Sequence, residues 1–302
     1  MSIRIKSLLI VPALVGLILF TGGCKNEPKT DNDELNSLIQ PDAESSPVIK
    51  INNRLFSVPS PVQISQLVKS VNQPFNSDML NPAEKVSNYT ETMKRALNLG
   101  AYGADLSYLN IYERLPEAAA YFAVVKQLSD ELGITATFDK ETMKRIENNN
   151  SNKDSLLRIF STIYRDADAF LMNNERNEVA VLILTGGWIE SLYFLTQMVT
   201  TNKNQDIINR IGEQKYPLDN LNSIITPYYG NYSEEFDALI EQMVELAYVF
   251  DGVQIDYTYE PPTIDVANKI TVINSTSKTT ISDYQLKKIS ELTQILRNKI
   301  VN

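Results

Sequence analysis

"NEVAVLILTGGWIESLYFLTQMV", residues 177–199, is apolar around its whole circumference if it forms a helix. A strand, a turn at Gly186–Gly187 and a helix could instead hold a phosphate, but the spaced glycines of phosphate-binding motifs are missing. A membrane-spanning helix is opposed by Glu190 and by the paired glycines. We favour a central buried helix whose glycines let a neighbouring helix approach closely. Glu190 then needs a partner, because an unpaired buried carboxylate is costly.

Apolar residues recur every three or four positions along most of the chain, which predicts an all-α fold. In residues 152–173, for example, Leu156, Phe160 and Ile163 would share one helix face. The predicted fold is a multi-helix bundle, or an array of helical hairpins, with one or two small β-hairpins. We expect a helix opening at Pro61 and further helices near residues 82–98, 101–113, 116–132, 139–148, 152–173, 175–200, 204–225 and 233–250.

Two segments alternate in the manner of β-strands. "VIKINNRLFSV", residues 48–58, alternates around Asn52–Asn53 and predicts a short hairpin. After Gly252 the chain becomes rich in Thr, Ile, Val and Tyr, which predicts a small β element. Ser282 and Gln285 then form the pattern of a capping box that opens the closing helix.

The N-terminus has the layout of a signal peptide. Basic residues precede an apolar stretch from Leu8 to Phe20, which is shorter than the roughly 20 residues that a membrane-spanning helix needs. "LFTGGC", residues 19–24, resembles the lipobox of bacterial lipoproteins, and the resemblance implies cleavage before Cys24 and acylation of its thiol, with palmitate as a typical chain. The predicted organisation is a signal peptide in residues 1–23, a flexible tether in 24–47 and a helical domain in 48–302.

The resemblance to lipoproteins also implies a location. Lys25 stands where an aspartate would favour retention at the inner membrane, so we expect the outer membrane. The acidic residues around Asp31 are similar to surface-export signals, and the choice between the periplasmic and the outer face stays open. A formal net charge of −9 argues against nucleic acid as a partner. We expect membrane contact through the lipid on Cys24.

The chain contains no histidine, which excludes a Ser-His-Asp triad and the ordinary zinc sites. Any chemistry would have to come from carboxylates, tyrosines, lysines or an ion bound by oxygen ligands. Asp105, Tyr108 and Tyr112 are spaced to share a helix face. We predict that Asp105, Tyr108, Trp188 and Glu190 line a ligand-binding groove between helices. We predict no catalytic residue, no cofactor and no metal.

Four phrases of the chain, "FSVPSP", "NLGAYGADLSY", "NKDSLL" and "GGWIESLY", together resemble a family of uncharacterised lipoproteins from double-membraned bacteria. The resemblance implies a helical envelope domain and transfers no catalytic residue. We therefore expect a binding or scaffold module for a glycan, a peptide or a neighbouring envelope protein. One alternative is a hydrolase of glycans or cell wall, which needs two carboxyl groups about 5 to 10 Å apart in a cleft. The other is a purely structural subunit of an envelope complex.

Replacing the lipidation residue tests the predicted anchor. The Cys24→Ser variant should stay unacylated and leave the envelope fraction, because acyl chains hold the protein through about 0.8 kcal/mol per buried methylene. Membrane fractionation and mass spectrometry of the N-terminal peptide provide the measurement. An unmodified thiol in the unaltered protein, or a Cys24→Ser variant that still sediments with envelopes, would contradict the prediction.

Overall fold

The structure, a computed structural model, describes residues 48–51, 54–57, 73–134, 139–149, 152–201, 203–266 and 270–302. Cys24, the predicted signal peptide and the predicted tether lie outside the described residues. So does the helix expected to open at Pro61.

The described residues form nine α-helices, three short 3-10 helices and six β-strands, which confirms the all-α class with small β-hairpins. The helices are α1 (Thr92–Ile111), α2 (Leu115–Glu131), α3 (Lys140–Asn148), α4 (Lys153–Asn173), α5 (Asn177–Thr201), α6 (Gln205–Glu213), α7 (Lys215–Ile225), α8 (Glu234–Asp251) and α9 (Asp283–Val301). The strands are β1 (Val48–Ile51), β2 (Arg54–Ser57), β3 (Gln254–Thr258), β4 (Thr263–Asp265), β5 (Ile270–Val272) and β6 (Thr276–Thr280). The 3-10 helices are Ser77–Met79, Ala83–Asn88 and Thr226–Tyr228.

Helix α5 lies at the centre of the bundle. It runs without a break through Gly186–Gly187, which overturns the strand–turn–helix interpretation. It contacts α1, α4, α6, α7 and α9. By length and composition α5 could cross a membrane, but 94% of its most apolar window is buried inside the protein. The prediction of a central buried helix is confirmed.

The glycines of α5 allow α1 to approach it backbone to backbone. A Cβ atom placed on Gly186 would lie 1.9 Å from the carbonyl oxygen of Leu97. In the other direction, a Cβ atom on Gly100 would lie 1.9 Å from the carbonyl oxygen of Ile183. No side chain fits into such a gap, so each helix contributes a glycine where the two backbones meet.

This contact explains one error in the predicted helix boundaries. We expected one helix to end at residue 98 and another to begin at 101, but α1 continues through Gly100 to Ile111. Glycine inside a helix costs about 1 kcal/mol relative to alanine. Here it is retained because α5 occupies the space that a side chain would need.

The helix predicted for residues 204–225 is in fact two helices. Gln214 ends α6 and precedes α7. Pro217, in the first turn of α7, has no N–H group to donate to the carbonyl of Glu213. A continuous helix would leave that carbonyl without its partner, so the break falls just before the proline.

Both β segments are antiparallel hairpins. The first pairs Val48 with Ser57 and Ile51 with Arg54, as the alternation around residues 52–53 predicted. The second is a long ribbon, residues 254–280, in which β3 pairs with β6 and β4 with β5. Its base contacts α6. The capping box of Ser282 and Gln285 that starts α9 is also confirmed.

The ribbon is interrupted where four residues, 259–262, face three residues, 273–275, on the opposite side. Pro261 and Pro262 lack the N–H groups that a continuous ladder requires. Polar side chains span the gap instead. The amide of Asn274 donates to the carbonyl of Pro261 at 2.7 Å, and the hydroxyl of Ser275 donates to the carbonyl of Glu260 at 3.1 Å.

A methyl group at the crossing of α1 and α5 should be strongly destabilising. We expect Gly186→Ala to lower the free energy of unfolding by more than about 2 kcal/mol, since the two backbones would have to separate. Gly252→Ala is the control, because the atoms that its new methyl would crowd are at the end of the flexible Gln285 side chain and not in the backbone, and its change should stay under about 1 kcal/mol. Denaturant unfolding provides the measurement, and an unchanged midpoint for Gly186→Ala would contradict the packing described here.

Candidate functional site

The four residues predicted to line a groove lie inside the core. Asp105 and Tyr108 are 0% exposed, and Trp188 and Glu190 are 1% exposed. The structure therefore places them between helices, as expected, but enclosed by protein and not along an open groove. Their role in ligand binding stays a prediction.

Glu190 is paired with Arg297 of α9. The guanidinium Nε donates to Oε2 at 3.1 Å and Nη2 donates to Oε1 at 3.1 Å. These two bonds give the forked arrangement in which arginine binds a carboxylate most strongly. The partner that a buried Glu190 requires is therefore present.

The guanidinium of Arg297 is held on two further sides. Its Nη2 donates to the backbone carbonyl of Met79 at 3.2 Å. Its Cζ lies 4.6 Å from the centre of the Tyr193 ring, a cation–π distance. The side chain of Arg297 is 10% exposed, so the pair with Glu190 is almost fully removed from water.

Asp105 adds a second carboxylate to the same interior. Its Oδ2 accepts a bond from the backbone N–H of Asn81 at 3.3 Å. Its Oδ1 has no hydrogen-bond partner. We call Asp105, Glu190 and Arg297 the buried charge cluster.

The pKa values in the cluster follow from burial first. Burial raises the pKa of Asp105 well above its ordinary value, and the negative charge of Glu190 raises it further, against the opposing effect of Arg297. Burial also raises the pKa of Glu190, which Arg297 opposes. Burial alone would lower the pKa of Arg297, but Glu190 reverses this and the guanidinium stays charged.

The face of α1 that carries Asp105 holds a segment of the chain that includes two 3-10 helices. We call this segment, residues 73–89, the strap. Side chains of α1, and the side chain of Tyr112 directly after it, form hydrogen bonds with the strap backbone at successive turns, and we call these bonds the rungs. The rungs are Tyr112 Oη to the carbonyl of Gln73 at 2.7 Å, Asn76 N–H to Tyr108 Oη at 3.0 Å, Asn81 N–H to Asp105 Oδ2 at 3.3 Å and Tyr102 Oη to the carbonyl of Pro82 at 2.8 Å.

Asn81 joins the strap to the rest of the interior. Its Nδ2 donates to Tyr89 Oη at 3.1 Å and to Asn98 Oδ1 at 3.2 Å. Asn98 in turn donates to the carbonyl of Ile300, and Tyr89 to that of Val301. The strap therefore links α1 to the end of α9.

The prediction that Asp105, Tyr108 and Tyr112 share a helix face is confirmed by these rungs. What the face binds is the protein's own backbone. Burial raises the pKa of both tyrosines, so they act as neutral phenols that donate or accept hydrogen bonds.

Trp188 takes part in a different contact. Its Nε1 donates to Gln214 Oε1 at 3.1 Å. Gln214 is the residue between α6 and α7, so the indole secures the position of that break. Trp188 and Glu190 are two positions apart on α5, and such positions point to nearly opposite sides of a helix.

Sequence reasoning missed Arg297, Asn81 and the strap. Arg297 could have been found, because it lies beside Leu296 and one turn before Val301 on the buried side of the closing helix. A cation on that side, together with the need of Glu190 for a partner, was a usable signal. Asn81 offered none, since its partners Asp105 and Asn98 are 24 and 17 positions away in the sequence.

The cluster has the chemistry of a structural charge network. Its carboxylates do not face a cleft, so an acid and a base cannot reach a substrate there. A shallow depression on the described surface is lined by Asp206, Asn209, Arg210, Glu213 and Thr276, but Arg210 already pairs with Glu213 at 2.7 Å. Among the described residues, no group of three or more Cys, Asp or Glu side chains is placed to hold a metal ion.

Removing one member of the buried ion pair should cost more than removing both. Glu190→Gln strands the guanidinium and should lower the free energy of unfolding by about 3–5 kcal/mol, as should Arg297→Met. The double variant should lose much less than the sum of the two. Denaturant titrations of all three provide the coupling energy.

The control for this cycle is an exposed pair. Lys203 and Asp283 lie 2.9 Å apart with side chains 67% and 87% exposed. Lys203→Met should change stability by less than about 1 kcal/mol. Strictly additive losses for Glu190→Gln and Arg297→Met would contradict the pairing.

Comparison of the chain with protein-family models, curated proteins and solved structures gives no significant match. The functional argument therefore depends on the contacts, burial and charges of the chain itself.

Proposed function

We propose that this protein is a lipid-anchored component of the outer envelope that acts as a binding or scaffold module, and that its partner is a neighbouring envelope protein. The observation that carries the proposal is the ribbon of residues 254–280, which presents large apolar side chains to solvent. The anchor is the acylated Cys24 predicted from the lipobox.

The core favours a binding role over the hydrolase. Asp105 and Glu190, the two carboxylates predicted to line the groove, are both buried in the interior, and Glu190 is paired with Arg297. A hydrolase needs its two carboxyl groups in a cleft that admits a sugar. The polar residues of the core stabilise the fold instead.

The ribbon has the composition of a contact surface. Its exposed apolar residues range from 50% exposure at Val272 to 69% at Ile273. A two-stranded ribbon is marginally stable in water by itself, and exposed apolar groups are typical of sites that pack against another molecule. The exposed apolar residues of the ribbon are Tyr257, Tyr259, Val266, Ile270, Val272 and Ile273.

The two edges of the ribbon differ, and this favours a protein partner over a glycan. The β3–β4 side contains Pro261 and Pro262, which cannot donate hydrogen bonds. The β5–β6 side, residues 270–280, has no proline and offers β-branched residues. Addition of a strand to such an edge satisfies backbone groups and aliphatic side chains together. Aliphatic side chains and unpaired backbone groups match another polypeptide better than a sugar.

Site-specific photo-crosslinking in the full-length protein tests the proposal. A crosslinking residue at position 273 should give one defined adduct with a different envelope protein in intact cells. Ile270→Glu combined with Val272→Glu should lower its yield about tenfold or more, because losing two apolar contacts costs at least about 1.4 kcal/mol.

The matched control is a crosslinker at Tyr248, which is 72% exposed on α8 and is not part of the ribbon. It should not give the same adduct. A ribbon adduct with the mass of two copies of this chain, an adduct with glycan only, or equal yields from the Glu variants would each overturn the proposed partner.

A further inference from the structure

One of the four rungs that hold the strap against the helical bundle is a carboxyl group. The three tyrosine rungs, Tyr102, Tyr108 and Tyr112, are neutral phenols. The fourth rung is Asp105, which is 0% exposed and accepts the backbone N–H of Asn81. Closure of the strap therefore buries a carboxyl group that would otherwise meet water.

In the closed form, the buried charge cluster needs one proton to bring its net charge to zero. The cluster holds two carboxyl groups and one guanidinium. Arg297 donates hydrogen bonds to Glu190 and to the carbonyl of Met79. No cation is therefore in direct contact with Asp105. A buried carboxylate without such a contact takes up a proton more readily than it stays ionised.

The hydrogen bonds around Asp105 also favour a protonated carboxyl group. Two buried acceptor atoms of this region, Asp105 Oδ1 and Asn81 Oδ1, have no donor. A proton on the Asp105 carboxyl group supplies a donor where none exists. A negative charge there would leave both acceptors unsatisfied and add repulsion from Glu190.

Every element packed around Asp105 contributes a group to its surroundings. α5 provides Glu190 and the phenol of Tyr193, and α9 provides Arg297. The strap provides Asn81 and Tyr89, α2 provides Tyr121, and α1 itself provides Tyr102. The charged members are the carboxyl group of Glu190 and the single guanidinium, and these two are already paired.

We propose that the strap is a proton-dependent latch: it closes over α1 with Asp105 protonated, and ionisation of Asp105 favours release of residues 73–89 from the α1 face. Release removes the Asn81 rung and lets water reach the carboxylate. It also detaches Met79 from Arg297, so opening of the strap and loosening of the end of α9 are coupled.

The direction of the pH effect follows from linkage. With the strap open, Asp105 meets water and its pKa returns toward the ordinary value of an aspartate. With the strap closed, its pKa is raised. The closed form is therefore favoured most below the ordinary pKa, and the preference is lost as the pH rises toward the pKa of the closed form. When the pH lies between the pKa of the open form and the pKa of the closed form, the population of the open form rises about tenfold per pH unit.

Hydrogen exchange on the full-length protein tests the latch. Protection factors of the Asn76 and Asn81 amides, whose acceptors are rungs of α1, should fall with rising pH by up to about tenfold per unit. Amides of α8 should keep constant protection factors and serve as the internal reference. Asp105→Asn, which carries no titrating proton, should give strap protection that does not vary with pH.

A second variant separates the latch from simple loosening. Tyr108→Phe removes an uncharged rung, so it should lower strap protection by the same factor at every pH and leave the slope unchanged. Infrared spectroscopy of the unaltered protein should show the carbonyl band of a protonated, buried carboxylic acid at neutral pH. That band should be absent from Asp105→Asn.

These measurements decide the proposal even if Asp105→Asn fails to fold, because the pH profile and the infrared band are read on the unaltered protein. Strap protection that is independent of pH would overturn the latch. So would an equal fall in the strap and in α8, a slope that survives in Asp105→Asn, or the absence of the carboxylic acid band at neutral pH.

Discussion

The backbone contact between α1 and α5 is the constraint on which the rest of the structure depends. Gly100 and Gly186 let the two helices meet with carbonyl groups where side chains would normally stand. Farther along both helices the rings of Tyr108 and Phe194 lie 4.9 Å apart, so the contact continues toward the two C-termini. Asp105 and Glu190 lie about one turn beyond the glycines, and the close approach is what places them in one interior. A wider spacing between α1 and α5 would leave room for water, and Glu190 would then not need a buried arginine as its partner.

Polar side chains in the interior bind the strap and fix its position. The strap has little regular hydrogen bonding of its own beyond two short 3-10 turns. The side chains of α1 satisfy its backbone groups, which is the general requirement for irregular backbone that enters a core. The side chains that suggested a ligand-binding face in the sequence, Asp105, Tyr108 and Tyr112, form hydrogen bonds with the backbone of the strap.

Local sequence signals predicted most of the helices, and non-local contacts decided the rest. Ser282 with Gln285 marked the start of α9, and the periodicity of residues 152–173 marked α4, because caps and apolar faces are encoded within a few residues. The glycines of α5 were also correctly linked to close helix packing. Gly100 was wrongly predicted to lie near a helix boundary. The glycine is needed there because α5 approaches closely, and α5 lies more than 80 residues away in the sequence. The candidate site was recovered in part: Asp105 and Glu190 do share an environment, but the partner that defines it, Arg297, is 107 positions from Glu190. The local pattern of the closing helix could show that Arg297 lies on its buried side, but not that its partner is Glu190.

The proline pair on one side of the ribbon limits what its open side can build. A ribbon with two pairing edges could accept a strand on each and propagate into a fibril, which is the familiar hazard of uncovered β-edges. Pro261 and Pro262 block hydrogen bonding along one edge, and the extra residue opposite Asn274 interrupts the flat ladder that stacking requires. Strand addition of the proposed kind would then be confined to one side, with one partner strand per ribbon. That limit would keep the proposed membrane-anchored protein from polymerising through the ribbon.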